Sequence, residues 1–405
     1  MKIPAVLLMF LLLSNILFGT PSAYVTNSGD NTVSVIDVTS NAVVATIGVG
    51  ASPYFIAATP DKSQVYVVNL NGNSVSVIDA STNTVSTTIP VGGLPQFIAI
   101  TPDGKQAYVA NSSDNTVSVI DTTSNTVTTT VPVGAFPLWV DISFDGKQTY
   151  VINDSDSSVS IIDTASNTVT ATVIVGIGAG SGSLFSAITP DDTKLYVTNL
   201  NIATVSVVDT SLKTVIATID VGNLPYFIAI TPDGKQAYVS NVGDMTVSVI
   251  DTTTNTVTKT VSVGEQPEFI AITPDGKQAY IINNLDGTVS VIDTVTNTVT
   301  ATIIVSIGPG NTPSYVVITS NGEDAYVTNT VDNTVSVIDT STNTVTSTVG
   351  VGVSPLFIAL TTLSPPPSPS PNLPLEEFLY NINRIRPIYN TELEAAKNIL
   401  KCPGL

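Results

Sequence analysis

A stretch of about forty residues, PQFIAITPDGKQAYVANSSDNTVSVIDTTSNTVTTTVPVG at 95–134, recurs in similar form from Tyr24 to Thr361. Self-similarity at a fixed period constrains the fold more than any single motif does. The Asp that closes VSVID marks the period, at Asp37, Asp79, Asp121, Asp163, Asp209, Asp251, Asp293 and Asp339. The spacing is 42 residues except for two steps of 46, so the chain carries eight copies of one unit.

Within a unit, four short runs rich in β-branched and aromatic residues are separated by turn chemistry, which predicts four strands. The first is FIAIT, Phe97 to Thr101, and the TPDGK after it places Gly104 where a positive φ is wanted in a tight turn. The second is QAYVAN, ending at Asn111, and the third is TVSVID, whose Asp121 can accept from nearby backbone amides to start the next turn. In the fourth, Asn125 to Val131, Val127 and Val131 alternate with Thr126, Thr128 and Thr130, so this strand is the exposed one.

No run has the apolar spacing of a helix, and a lone four-stranded sheet cannot bury both faces. Radial stacking of such sheets into a β-propeller buries them. The first unit opens at Tyr24 with a second-type strand, and Pro355 to Thr361 is a first-type strand with nothing after it. A ring in which the C-terminal strand completes the N-terminal blade uses both leftovers, whereas an open β-solenoid uses neither and needs capping repeats. The expected fold is therefore all-β, a β-propeller of four-stranded antiparallel blades, eight in number with seven the alternative.

At Tyr24-Val-Thr-Asn27, Tyr196-Val-Thr-Asn199 and Tyr326-Val-Thr-Asn329 the chain resembles the YVTN family of β-propeller repeats. Variants begin at Tyr66, Tyr108, Tyr150, Tyr238 and Tyr280, and all end in Asn. The resemblance covers roughly residues 24 to 361 and implies a surface-layer or cell-surface location with an interaction role. It carries no catalytic residue, and such families usually build seven blades. Lactonase and quinone-dependent propellers lean on His or Arg in the channel. This chain has no His, and its only arginines are Arg384 and Arg386, so those relatives fit it poorly.

The ends differ from the array. Lys2, an apolar run from Ile3 to Phe18 and small residues from Gly19 to Ala23 resemble a secretory signal peptide over 1–23, cleaved after Gly19 or Ala23. The run is shorter than the roughly 20 residues of a spanning helix, so no membrane span is expected after cleavage. From 362 to 374 the chain is a Pro/Ser-rich linker, and 375–405 reads as two short helices around Pro387. Phe378, Leu379, Ile382 and Leu393 in that tail are available to dock on the propeller, a partner or an envelope layer. The lone Cys402 leaves no internal disulfide, which suits an exported prokaryotic protein.

Between Tyr24 and Thr361 there are 28 Asp or Glu against 8 Lys, which disfavours nucleic acid and anionic lipid as partners. Without His, a Ser-His-Asp triad, His-ligated haem or copper and His-based zinc are excluded. Carboxylates remain for glycoside cleavage or calcium, the latter at Asp154-Ser-Asp156. Turn positions repeated in every blade account for most of them, so no metal, cofactor or enzymatic activity is expected.

The blades differ chiefly in two loops that open on one face, those joining strand four to the next strand one and strand two to strand three. Two insertions also fall there, around Gly178 to Gly182 and Gly308 to Asn311. The residue after each entry proline varies in kind: Tyr54, Gln96, Leu138, Tyr226, Glu268, Ser314 and Leu356, with Leu184 where the proline is lost. Opening the innermost strand, it should stand at the mouth of the central channel. Tyr54, Gln96, Phe136, Leu138, Tyr226 and Glu268 are thus the candidate contacts for a protein or glycan, and the expected function is that of an exported, non-enzymatic interaction module. The alternatives are a carboxylate-dependent hydrolase or lyase and a surface-lattice component.

Overall fold

A computed structural model of the chain describes residues 21–176, 180–306 and 312–361. Residues 1–20 of the expected signal peptide over 1–23, the expected linker at 362–374, the expected helical tail at 375–405 with Cys402, and parts of both insertions lie outside the described residues. The described chain forms eight four-stranded antiparallel sheets in a ring. Blades 2 to 8 span 53–90, 95–132, 137–174, 183–220, 225–262, 267–304 and 313–350. Blade 1 takes three strands from the N-terminal side, Ser22–Asn27, Thr32–Asp37 and Ala42–Gly48, and its innermost strand, Pro355–Leu360, from the other end. Ala23 pairs with Leu360 and Val25 with Ile358, so backbone hydrogen bonds close the ring. The first strand starts at Ser22, two residues ahead of the sequence-based boundary, and Ser22 and Ala23 are buried in it.

Burial follows each strand's place in the blade. The two middle strands are buried on both faces, as in QAYVAN and TVSVID of blade 3, because each sheet is sandwiched between neighbours. The outer strand Thr126–Pro132 alternates, with Thr126, Thr128 and Thr130 exposed and Val131 buried. The turns obey local chemistry: Gly104 has φ +72°, and Asp121 accepts from the amides of Thr123 at 3.0 Å and Ser124 at 2.7 Å.

The YVTN motif is a packing device. The buried Tyr24 donates its hydroxyl across the blade boundary to Asn83 Oδ1 at 2.6 Å. Tyr66, Tyr108, Tyr196, Tyr238 and Tyr280 repeat this with Asn125, Asn167, Asn255, Asn297 and Asn343. Tyr326 closes the circle onto Asn41 at 2.9 Å. These asparagines sit at positive φ in their turns, where Asn is well tolerated. Blade 5 carries Lys213 in that place, and Tyr150 keeps the bond to Gln148 Oε1 at 2.7 Å, which Tyr66 and Tyr108 also make to their own Gln, without an Asn across the boundary. The Asn that ends the motif donates to two hydroxyls of the next strand, as Asn27 does to Thr32 and Ser34 at 3.0 and 2.9 Å. It also lies so close to the incoming loop that a Cβ on Gly92 would sit 2.7 Å from Asn111 Cγ.

Candidate active site at the channel mouth

Each innermost strand breaks register near its start, between Pro53 and Ile56 or Pro95 and Ile98, for example. A bulge re-aims side chains. Here the third residue of every inner strand turns into the channel, and eight aromatic rings fill it. Phe97, Phe185, Phe269 and Phe357, from alternate blades, form a square with neighbouring centroids 5.6 to 6.1 Å apart. Phe55, Trp139, Phe227 and Tyr315 wedge between its corners, as Phe55 does at 4.5 Å from Phe97 and 5.0 Å from Phe357. Edge-to-face contacts of this kind add to the gain from burial. The channel is therefore divided by an aromatic plug, with a mouth on the loop side and a second half beyond it.

At the mouth, Tyr54 of blade 2 rests on Phe357 and Phe97 at 5.2 and 5.9 Å. Tyr226, directly across the ring in blade 6, rests on Phe185 and Phe269 at 5.0 and 5.8 Å. Between them, Glu268 of blade 7 accepts from Gln266 Nε2 at 3.0 Å and from Asn284 Nδ2 at 3.4 Å. Burial pushes the Glu268 carboxyl up from 4.5 to about 7, against the lowering effect of the Gln266 bond. Burial and then the Glu268 charge raise both phenols, so Tyr54 and Tyr226 are neutral hydrogen-bond donors at physiological pH.

The backbone beneath these three residues is anchored from the preceding blade. Thr26 Oγ1 donates to Tyr54 O at 2.9 Å, Thr198 Oγ1 to Tyr226 O at 2.9 Å, and Ser240 Oγ to Glu268 O at 2.6 Å. Thr328 does the same for Leu356 at 2.8 Å. The donor is the third residue of the YVTN motif, which is Val68, Ala110, Ile152 or Ile282 in the other four blades. That hydroxyl was a readable signal: it marks which mouth residues are held in place, and sequence reasoning absorbed it into the family motif.

The remaining expected mouth residues are partly gathered. Gln96 reaches Ser112 Oγ at 3.4 Å, and Leu138 and Leu184 line the opening half-buried. Phe136 stands apart: it precedes the entry proline at φ 57°, is 37% exposed, and touches no other ring. Asp154 joins the mouth side, and burial raises its carboxyl. Asp156 is occupied by the backbone, accepting from the Ala135 amide at 2.5 Å. Among the described residues no group of three or more His, Cys, Asp or Glu is placed to hold a metal ion.

A carboxylate pair is not assembled. Besides Glu268, the carboxyl pushed up furthest is Asp141, to about 6, and it lies three positions further along its inner strand, beyond the plug. Two surface clefts, of about 380 Å³ beside Asp220 and Asp244 and about 410 Å³ beside Asp61 and Asp103, are lined by strand and turn residues outside the innermost strands.

The family model described as YNCE-like beta-propeller matches residues 16–141, and that described as Lactonase, 7-bladed beta-propeller matches residues 121–350. No curated protein matches the chain in sequence. Among solved structures it is similar to dihydro-heme d1 dehydrogenase NirN in complex with DHE, at TM-score 0.72 and 16% identity over 83% of this chain and 74% of that one. It is also similar to hydrazine synthase of Kuenenia stuttgartiensis, at TM-score 0.59 and 24% identity over 71% and 96%. A functionally unknown protein from Desulfotomaculum acetoxidans DSM 771 matches at TM-score 0.57 and 15% identity over 84% and 99%.

Identities this low establish the propeller fold alone, but the lactonase match is one of sequence. It corrects two expectations: that the chain is a plain non-enzymatic interaction module, and that its lack of channel His or Arg sets it apart from lactonase propellers. With residues 121–350 matched, more than half of its 405, and with eight blades where the description counts seven, the chain belongs to the lactonase β-propeller family.

Proposed function

We propose that the protein is a hydrolase of small uncharged cyclic esters, working at the channel mouth with Glu268 as general base. The observation that carries this is a single carboxyl, raised to about 7 by burial, between two neutral phenols on an aromatic floor. A base is most effective when its pKa lies near the working pH, and such a group typically contributes 10²–10⁴-fold. In the proposed step Glu268 takes a proton from water as its oxygen attacks the ester carbonyl carbon. Tyr54 or Tyr226 donates to the developing oxyanion. The ring C–O bond then breaks, and the leaving alkoxide recovers the proton from Glu268.

The product is a hydroxy acid anion, which a mouth carrying Glu268 and Asp154 and no cation repels. The same field favours a neutral substrate over an anionic one. A leader cleaved after Gly19, ahead of the strand that begins at Ser22, puts this activity outside the cytoplasm in our reading. Turnover of a panel of five- and six-membered lactones tests the proposal. The rate should rise with pH through an inflection near 7, and Glu268→Gln should lose at least a hundredfold while keeping its fold. Absence of turnover above the uncatalysed rate, or equal rates for the two proteins, refutes it.

A further inference from the structure

The half of the channel beyond the plug holds a second polar group. Three positions along the inner strand are nearly uniform around the ring. The third is Phe or Tyr in seven blades and Trp139 in blade 4; the fourth is Ile or Val in seven and Ser186 in blade 5; the fifth is Ala or Val in seven and Asp141 in blade 4. The three exceptions meet. Ser186, itself 2% exposed, donates Oγ to Asp141 Oδ2 at 2.5 Å across the boundary between blades 4 and 5. The Trp139 indole N–H is buried without a hydrogen bond of ordinary geometry, yet it lies near enough to the Asp141 carboxylate to lower its pKa.

In the other seven blades these places pack with apolar side chains, so packing alone does not call for a carboxylate here. Asp141 is surrounded by protein and still keeps part of its surface accessible, as do Ala57, Ala99, Ala187, Ala229 and Ala271, the small residues at the same place in other inner strands. No inner strand carries a Lys or Arg, and a buried carboxylate without a counter-charge is costly.

We propose that Asp141, Ser186 and Trp139 form a binding site for a small organic ammonium ion in the half of the channel beyond the plug. Ser186 holds one carboxylate oxygen and leaves the other for the cation. Trp139, half-buried where Phe97 and Phe185 against it are buried, supplies a π face that attracts an alkylammonium. One carboxylate with no second acidic or imidazole ligand suits such an ion better than calcium, which takes six to eight oxygens. The site is separate from Glu268 and does not depend on the hydrolase reading.

Trp139 is the only tryptophan in the chain, so its fluorescence reports on this site directly. Full-length protein at pH 8 is titrated with ethylammonium or tetramethylammonium chloride against sodium chloride of equal ionic strength, with melting temperature followed in parallel. The expected result is a saturable fluorescence change with a rise in melting temperature, and at least a tenfold loss of affinity in Asp141→Asn, which should melt no lower than the wild type. A response equal to that of sodium chloride, or unchanged affinity in Asp141→Asn, overturns the site. Tighter saturation by calcium overturns the ligand class. Loss of the response in Glu268→Gln overturns the location, by moving the cation to the mouth.

Discussion

Replacing Glu268 with Gln should stabilise the ring, by an amount that grows as the pH rises from 4.5 to about 7. The fold raises this carboxyl from 4.5 to about 7, so the folded state favours its neutral form. Below pH 4.5 Glu268 is protonated whether the chain is folded or not, and it contributes no penalty. As the pH rises the unfolded chain releases the proton first, and the penalty grows until it is complete above about 7.

A rise of that size is worth about 3 kcal/mol, trimmed to about 2 kcal/mol because the group is partly solvated. Gln keeps the shape and can still accept from Gln266, giving up only the long 3.4 Å contact with Asn284, without the charge. In a ring of this size each kcal/mol moves the melting point by about 2 °C, so Glu268→Gln should melt about 4 °C above wild type at pH 8.5 and level with it at pH 4.5. Thermal scans of both proteins across that range measure the difference, in which titration of distant groups cancels. A shift that is independent of pH, or a loss of stability at pH 8.5, would show that burial does not set the Glu268 pKa.

Two further outcomes rest on the way the ring is held. Removing 355–405 deletes the innermost strand of blade 1 and its pairing with Ala23 to Asn27, so cooperative unfolding should be lost, whereas removing 362–405 should leave the melting point nearly unchanged; equal melting of the two truncations refutes closure. Lys213→Asn should stabilise the chain by about 1 kcal/mol in urea denaturation, because Asn tolerates the φ of 56° found there and restores the missing acceptor for Tyr150. A destabilised variant would show that the Lys213 bond to Thr170 Oγ1 matters more than the latch.

The repeat by itself determines the architecture. Period, strand count and turns are local or repeated eightfold, and the unmatched strands at Ser22 and Pro355 leave ring closure as the arrangement that pairs both. Gly104 at positive φ and Asp121 over its turn amides are likewise local consequences of residue type. Glu268, Tyr54 and Tyr226 were also legible, because they vary at a position whose place in the strand is known.

What surrounds those residues was decided only in three dimensions. Alternation along PQFIAI does not say that Phe97 faces the channel; the bulge does, and eight such rings then close it. Glu268 and Asp141 are two carboxylates in the sequence, but the plug between their levels keeps them from forming a pair, and burial raises each by itself. Phe136, grouped with the mouth by its chemistry, stands on the loop before Pro137, because a residue at positive φ ahead of the strand points away from the ladder. Tyr24 and Asn83 are 59 residues apart and in different blades, so their hydrogen bond exists only once neighbouring sheets stack. A pKa, a plug and a latch each depend on which surfaces are taken from water, and that is a property of the closed ring rather than of any one repeat.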